Sequence, residues 1–164
     1  MYVVGYALSK TYTRRAAVMP YTFDKDNRLL FLVGKDKNSG DITDFGGGRK
    51  KYEYSLNAAI REFNEETSGV FSPYIHATSC NEYTTNPAII DDDLSLATLF
   101  IYIPYDVINS KIEHFTENKE VRSLHLVSRS FLVNNKGVWG RIQRFYSKNM
   151  PSANFFYNVR TFRK

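Results

Sequence analysis

Apolar and polar positions along this chain change period several times, and each change marks an element. Tyr2 to Leu8, rich in Val and Tyr, reads as a strand, and Ala16 to Phe23 and Leu29 to Gly34 read as two more, paired as a hairpin across the polar turn Asp24 to Asn27. The period then lengthens. Leu56, Ala59, Ile60 and Phe63 recur at i, i+3, i+4 and i+7, one stripe of a helix wound at about 100° per residue. Beyond it, Tyr74 to Tyr83 alternates as a strand, and Thr84 to Asp93, with Pro87 and the acidic run Asp91, Asp92, Asp93, reads as a solvated loop. Leu96 to Ile103 is almost continuously apolar, the mark of a central strand covered on both faces, and Pro104 ends it. Val107, Ile108 and Ile112 return to helical spacing within Tyr105 to Phe115, and Val121 to Val127 forms a further strand. A final helix spans Gly137 to Tyr146, with Val138, Trp139, Ile142, Phe145 and Tyr146 on its buried side. Lys148 to Lys164 is an aromatic and basic tail, expected to pack on the body as a clasp.

Composition narrows the class. At 164 residues and 43% hydrophobic content the chain can bury one core and is too short for two, so a single domain over 1–164 is expected. The net charge of +5 coexists with 17 acidic residues, which separates basic surface from acidic surface and favours anionic partners. Cys80 is alone, which excludes an internal disulfide, and it is expected to be a buried strand residue. No signal-peptide pattern opens the chain, no lipidation motif closes it, and the longest apolar run is too short for a membrane span. The expectation is a soluble, intracellular, cytoplasmic protein without membrane contact. The sequence does not speak to oligomeric state.

The chemistry concentrates between Phe45 and Val70. Glu62, Glu65 and Glu66 fall on one helix face, since i, i+3 and i+4 are surface neighbours. Like charges gathered near a helix C-terminus repel each other and oppose the macrodipole. A hard cation would offset that repulsion, and oxygen-only ligands suit Mg²⁺ or Mn²⁺ rather than zinc. Gly46, Gly47 and Gly48 precede the helix and permit close approach of another group to the backbone. Ser55 is placed to be its N-cap.

Gly47, five residues, Glu53, seven residues, Arg61-Glu62-Phe63, one residue, then Glu65-Glu66 resembles the signature of the Nudix hydrolase superfamily. Six strict identities at roughly one in fifteen each, over about 150 start points, put a chance match on the order of one in 10⁵. The box covers about 47–69, and it departs from the pattern at its end. Gly69 and Val70 arrive one place late, after Thr67 and Ser68, and Phe63 stands where an aliphatic residue is usual. The displaced glycine predicts a helix running to about Ser68 with Gly69 in the left-handed position.

The resemblance implies an α/β/α sandwich, a mixed sheet of about six strands between helices. It implies hydrolysis of a phosphoanhydride in a nucleoside diphosphate linked to another group. Glu62, Glu65, Glu66 and the Gly46 carbonyl would hold Mg²⁺ or Mn²⁺, and Glu120, ahead of Glu117, would complete the site or act as base. Arg61 and Glu53 look like an orienting ion pair, and Arg49, Lys50 and Lys51 would stand near a bound polyphosphate. Tyr, Phe, Asn and Lys content and the FGGGRKK variant are similar to Nudix enzymes of large DNA viruses and phages, which include decapping enzymes. Basic balance and the tail's Phe155, Phe156, Tyr157, Arg160, Phe162, Arg163 and Lys164 favour capped RNA or a dinucleoside polyphosphate. The competing expectation is a catalytically silent Nudix-fold module that binds a nucleotide or RNA.

Overall fold

The nine-residue run Arg15–Phe23 (β2) organises the molecule, because each of its edges carries other strands. A computed structural model describes residues 2–76 and 80–161 of the chain. One edge of β2 pairs in parallel with Leu96–Tyr102 (β7), from Arg15 opposite Leu96 to Tyr21 opposite Tyr102. The other edge is divided. Its first half pairs antiparallel with Phe45–Gly48 and its second half with Leu29–Asp36 (β3). Tyr2–Val4 (β1) and Pro87–Asp91 (β6) extend the sheet beyond β7, and Ile42–Thr43 (β4) and Val121–Val127 both pair with β3. With Phe45–Gly48 as β5 and Val121–Val127 as β8, the mixed sheet has eight strands among the described residues.

Alternate side chains of one strand point to opposite faces, and here each face meets helices. Ala16 and Val18 of β2, Leu32 of β3 and Ala97, Leu99 and Ile101 of β7 join a core containing Leu56, Ala59, Ile60 and Phe63 of Ser55–Glu66 (α2). Gly5–Leu8 (α1) and Tyr105–His114 (α3) add Leu8 and Ile108 to that layer. Met19, Tyr21, Phe31, Val33 and Phe100 face a second core with Arg129–Asn134 (α4), Gly140–Asn149 (α5) and Ala153–Thr161 (α6). The result is an α/β/α sandwich around a mixed sheet. The aromatic Phe63 fills this core between Phe45 and Phe71, with ring centroids 5.4 and 5.7 Å away.

Several elements differ from the sequence reading. Tyr2 to Leu8 is a strand only to Val4 and then one helical turn. Within the expected strand Tyr74 to Tyr83, the amides of Tyr74 and Ile75 both donate to the Phe71 carbonyl, which makes a turn, and Cys80–Tyr83 is a short 3-10 helix. Residues 77–79 of that segment lie outside the described residues. Cys80 is therefore half-buried in a 3-10 helix rather than buried in a strand. The expected loop Thr84 to Asp93 contains β6, because Ala88, Ile89 and Ile90 fit between β1 and β7 while Pro87 sits at the strand's first position, where proline is tolerated. Asp91 is a structural residue, accepting from the Leu94 amide at 3.0 Å and Asn149 Nδ2 at 2.9 Å and pairing with Lys148 at 3.0 Å. Burial opposes its ionisation, yet these donors hold it at a pKa of about 2. Helix α4 was not anticipated, and α5 starts at Gly140, so Trp139 is its N-cap and stays 41% exposed rather than buried. The tail packs on the body through Phe156 and Tyr157. Its Phe162, Arg163 and Lys164, and the side chain of Arg160, lie outside the described residues.

No helix among the described residues is long and apolar enough to cross a membrane.

Candidate metal centre

Strand β5 brings the glycines against α2. Gly46 lies so close to β2 that a Cβ would stand 2.5 Å from Ala17 Cβ and 2.7 Å from the Ala16 carbonyl oxygen. A Cβ on Gly47 would stand 2.5 Å from the Glu62 carboxyl carbon. The run of glycines is thus a paired strand with a carboxylate lying on it. At the start of α2, Ser55 does not cap the helix. Tyr54 is the N-cap without a side-chain bond, while Ser55 Oγ accepts from the Thr13 amide at 2.9 Å and donates to the Thr11 carbonyl at 3.1 Å. That pair of bonds fastens α2 to the segment entering β2.

Arg61 is the hub of the helix surface. Its Nε and Nη2 donate to both oxygens of Glu53 at 2.9 Å, a bidentate clamp, and Nη2 also reaches the Gly48 carbonyl at 3.1 Å. Nη1 donates to Glu62 at 2.9 Å and to Glu65 at 3.3 Å. Hydrogen bonding to Arg61 lowers the Glu53 pKa, and Glu53 in turn raises that of Arg61.

Glu62, Glu66 and Glu120 each offer a carboxylate oxygen, all within 4.8 Å of one another. Glu65 is not of this group: its side chain is 55% exposed and turned toward Arg61. The i+3 step from Glu62 carries Glu65 toward solvent, whereas the i+4 step keeps Glu66 against the sheet, buried at 7% exposure. Burial pushes the Glu66 carboxyl up to about 9, Arg15 works against this, and Asp44, Glu62 and Glu120 add to it. Burial also raises Glu62, opposed by Arg61. Glu117 stands away from the group, paired with Lys37 at 3.5 Å.

Glu120 is held at the right height by a residue the sequence reading missed. The Asn118 side chain accepts from the amides of Glu120 and Val121 at 2.9 and 2.8 Å and donates to the Glu66 carbonyl at 2.8 Å and Ser68 Oγ at 3.0 Å. One amide group therefore joins the end of α2 to the head of β8. The helix itself ends at Glu66 and not at Ser68. The amide of Gly69 donates to the Asn64 carbonyl and that of Ser68 to the Glu65 carbonyl, the two bonds of a Schellman close. Both Ser68 (φ 56°) and Gly69 (φ 72°) are left-handed, so the serine occupies the position the Nudix pattern gives to glycine.

The three carboxylates line a cavity of about 540 Å³ with Gly46, Gly47, Gly48, Asp44, Arg15 and Trp139. Arg15 is tied to Asp44 at 2.8 Å and donates to the Gly46 carbonyl at 3.0 Å, which leaves that oxygen a second lone pair. Tyr146, fully buried, donates to the far Asp44 oxygen at 2.8 Å and fixes the pair from below. The Arg15 guanidinium lies 5.5 Å from the Trp139 ring centroid, a feature no local pattern announced. Arg49, Lys50 and Lys51 are not among the cavity's lining residues.

No family model matches the sequence, and no curated protein matches it. Solved structures do. A C. elegans Ap4A hydrolase in a binary complex superposes with a TM-score of 0.56 at 12% identity, covering 90% of this chain and 98% of that one. A Nudix hydrolase from M. smegmatis gives 0.54 at 10% identity, covering 93% and 88%. A NUDIX hydrolase structure from Listeria monocytogenes gives 0.50 at 14% identity, covering 84% and 90%. With its mixed sheet between two helical layers and its glycine strand seated on a carboxylate helix, the chain has the Nudix hydrolase fold.

Proposed function

We propose that residues 1–164 form a single Nudix domain that hydrolyses a phosphoanhydride bond in a nucleoside diphosphate linked to another group, using Mg²⁺ or Mn²⁺. The observation that carries this reading is the convergence of Glu62, Glu66 and Glu120 within 4.8 Å. The donors are all oxygen, as a hard cation requires. Glu66, buried and held neutral by its surroundings, is a group that a cation would return to its charged form. The spare lone pair on Gly46 fits the same role. When bound, such a cation lowers the pKa of a coordinated water and neutralises charge on the phosphates.

The chain's own residues divide the remaining work. Glu62 and Glu66 would hold the cation from a rigid helix, and Arg61, clamped by Glu53, orients Glu62. Glu65 neighbours the set, bonded through both oxygens to Arg61 at 3.3 and 3.4 Å, and would join the ligands only by turning away from Arg61. Glu120, the exposed member at the head of β8, accepts the proton of the attacking water. Trp139 offers a nucleobase a stacking face at the cavity edge. A dinucleoside polyphosphate or the cap of an RNA fits this arrangement, since either carries a base on each side of its phosphates. The C. elegans neighbour is described as an Ap4A hydrolase, which favours the same class.

A panel of capped RNA, dinucleoside polyphosphates and nucleotide sugars, assayed with and without Mg²⁺, tests the reading. Wild type should hydrolyse one class, and Glu66→Gln should lose about 10³-fold or more in turnover, since metal-assisted steps carry several kcal/mol of the barrier. A wild type that binds nucleotides tightly yet hydrolyses none, with Glu66→Gln indistinguishable from it, would make the protein a binding module.

A further inference from the structure

One residue beyond Gly48, which lines the cavity, the surface changes character. The segments 9–14 and 48–54 hold Lys10, Arg14, Arg49, Lys50 and Lys51 against the single acid Glu53, and Glu53 is engaged by Arg61. The two segments are bound side by side, with the Arg49 amide on the Arg14 carbonyl and the Ser55 amide on the Thr11 carbonyl. Three tyrosines stand out from them, Tyr12 49% exposed, Tyr54 41% and Tyr52 81%, and Tyr6 of the adjoining α1 is 54% exposed. Tyr12 and Tyr54 are stacked, their centroids 4.7 Å apart and their planes within 20°. Three of the five cations ride on rings: Arg49 over Tyr12 at 4.9 Å, Lys10 over Tyr6 at 4.8 Å and Lys51 over Tyr52 at 5.3 Å.

Tyr52 sharpens the point. Its φ is 66°, a left-handed conformation that is strained for a bulky side chain, and the ring so presented lies almost wholly in water. Core packing cannot account for a strained, solvated aromatic. Strained residues of this kind gather at ligand clamps.

We propose that this face is a docking track for single-stranded RNA, along which a strand whose 5′ phosphates occupy the cavity continues over Tyr12, Tyr54 and Tyr52. The position of the strand's 5′ end rests on the hydrolase reading above; the track does not. Alternating aromatic faces and cations meet the two needs of a single strand, stacking for unpaired bases and positive charge for the backbone. The partner's chemistry follows from charge as well. A second copy of the chain docked through the same face would set five cations against five, and a small nucleotide confined to the cavity would leave the tyrosines unused.

Anisotropy of a short labelled single-stranded RNA, measured in EDTA so that no hydrolysis occurs, reads the track directly. The logarithm of affinity should fall with the logarithm of salt by about 0.7 per cation engaged, and Lys51→Ala should flatten that slope by about one such step. Tyr52→Gly should weaken binding roughly tenfold, the loss expected when one base loses its stacking partner. The same change relieves the left-handed strain, so its melting temperature should hold or rise, and weakened binding then cannot be ascribed to misfolding. Hydrolysis of a dinucleoside polyphosphate by Tyr52→Gly should match wild type. Unchanged affinity and slope in both variants would overturn the track. So would a duplex bound as tightly as the single strand, or a wild-type dimer in sedimentation that Tyr52→Gly dissociates. Protein that binds RNA through Tyr52 but cleaves no substrate overturns the hydrolase reading alone.

Discussion

In the metal-free protein Glu66 is pulled toward its charged form by Arg15, but the forces favouring its neutral form outweigh that pull. It lies in the last turn of α2, where the helix dipole disfavours an anion, it is buried, and Glu62 and Glu120 face it. Its carboxyl is pushed up to about 9 from the model-peptide value of 4.5. Between those two values the folded state binds more protons than the unfolded state, so stability must fall as pH rises through that window. Glu66→Gln should therefore melt higher than wild type at pH 8 in chelator and lose this pH dependence. Added Mn²⁺ should raise the melting temperature of wild type and leave that of the variant nearly unchanged. Equal stabilisation of both by Mn²⁺ would place the cation elsewhere. The spacing of Glu62, Glu65 and Glu66 was legible in the sequence, because one helical turn dictates which residues are neighbours. That Glu65 leaves the set was not, since it depends on Arg61 being clamped by Glu53 from outside the helix.

The end of α2 shows how far local rules reach. Gly69 adopts the left-handed conformation its chemistry suggested, but the helix stops at Glu66, two residues short of the expected Ser68. The Schellman bonds of Ser68 and Gly69 close it there, and Asn118, some fifty positions away, donates to the Glu66 carbonyl and Ser68 Oγ. Gly69→Ala isolates the backbone contribution, because a Cβ there would meet nothing within 4 Å. Left-handed strain of about 1–2 kcal/mol should appear in full, lowering the melting temperature by roughly 2–8 °C. An unchanged melting temperature would mean that the segment relaxes and that the Schellman close contributes little. The glycines of β5 carry a similar lesson. Their freedom of approach was readable from composition, whereas their pairing with β2 and the Glu62 carboxyl resting on Gly47 belong to the fold.

The two-sided sheet assigns the C-terminal segment its part. Phe156 of α6 is fully buried, with the rings of Tyr21, Phe31 and Phe100 at 5.1–5.2 Å, so α6 closes the second core. Phe156→Ala should cost about 3–5 kcal/mol, visible in denaturant or thermal unfolding. A loss of less than about 0.5 kcal/mol, the range of surface substitutions, would instead make α6 a loosely held arm. Sequence alone determined what short-range geometry controls: the apolar stripe of α2, the central strand β7, the acid spacing of the box and the aromatic character of the tail. Only the tertiary structure decided which distant groups meet. Glu120 reaches Glu62 and Glu66 because β8 pairs with β3 and Asn118 bolts its head to α2. Trp139 faces the cavity because α5 begins one residue later, and Pro87–Asp91 becomes a strand because β1 and β7 leave a gap of its width. Such meetings depend on the packing of segments far apart in the chain, and no period or spacing within one segment records them.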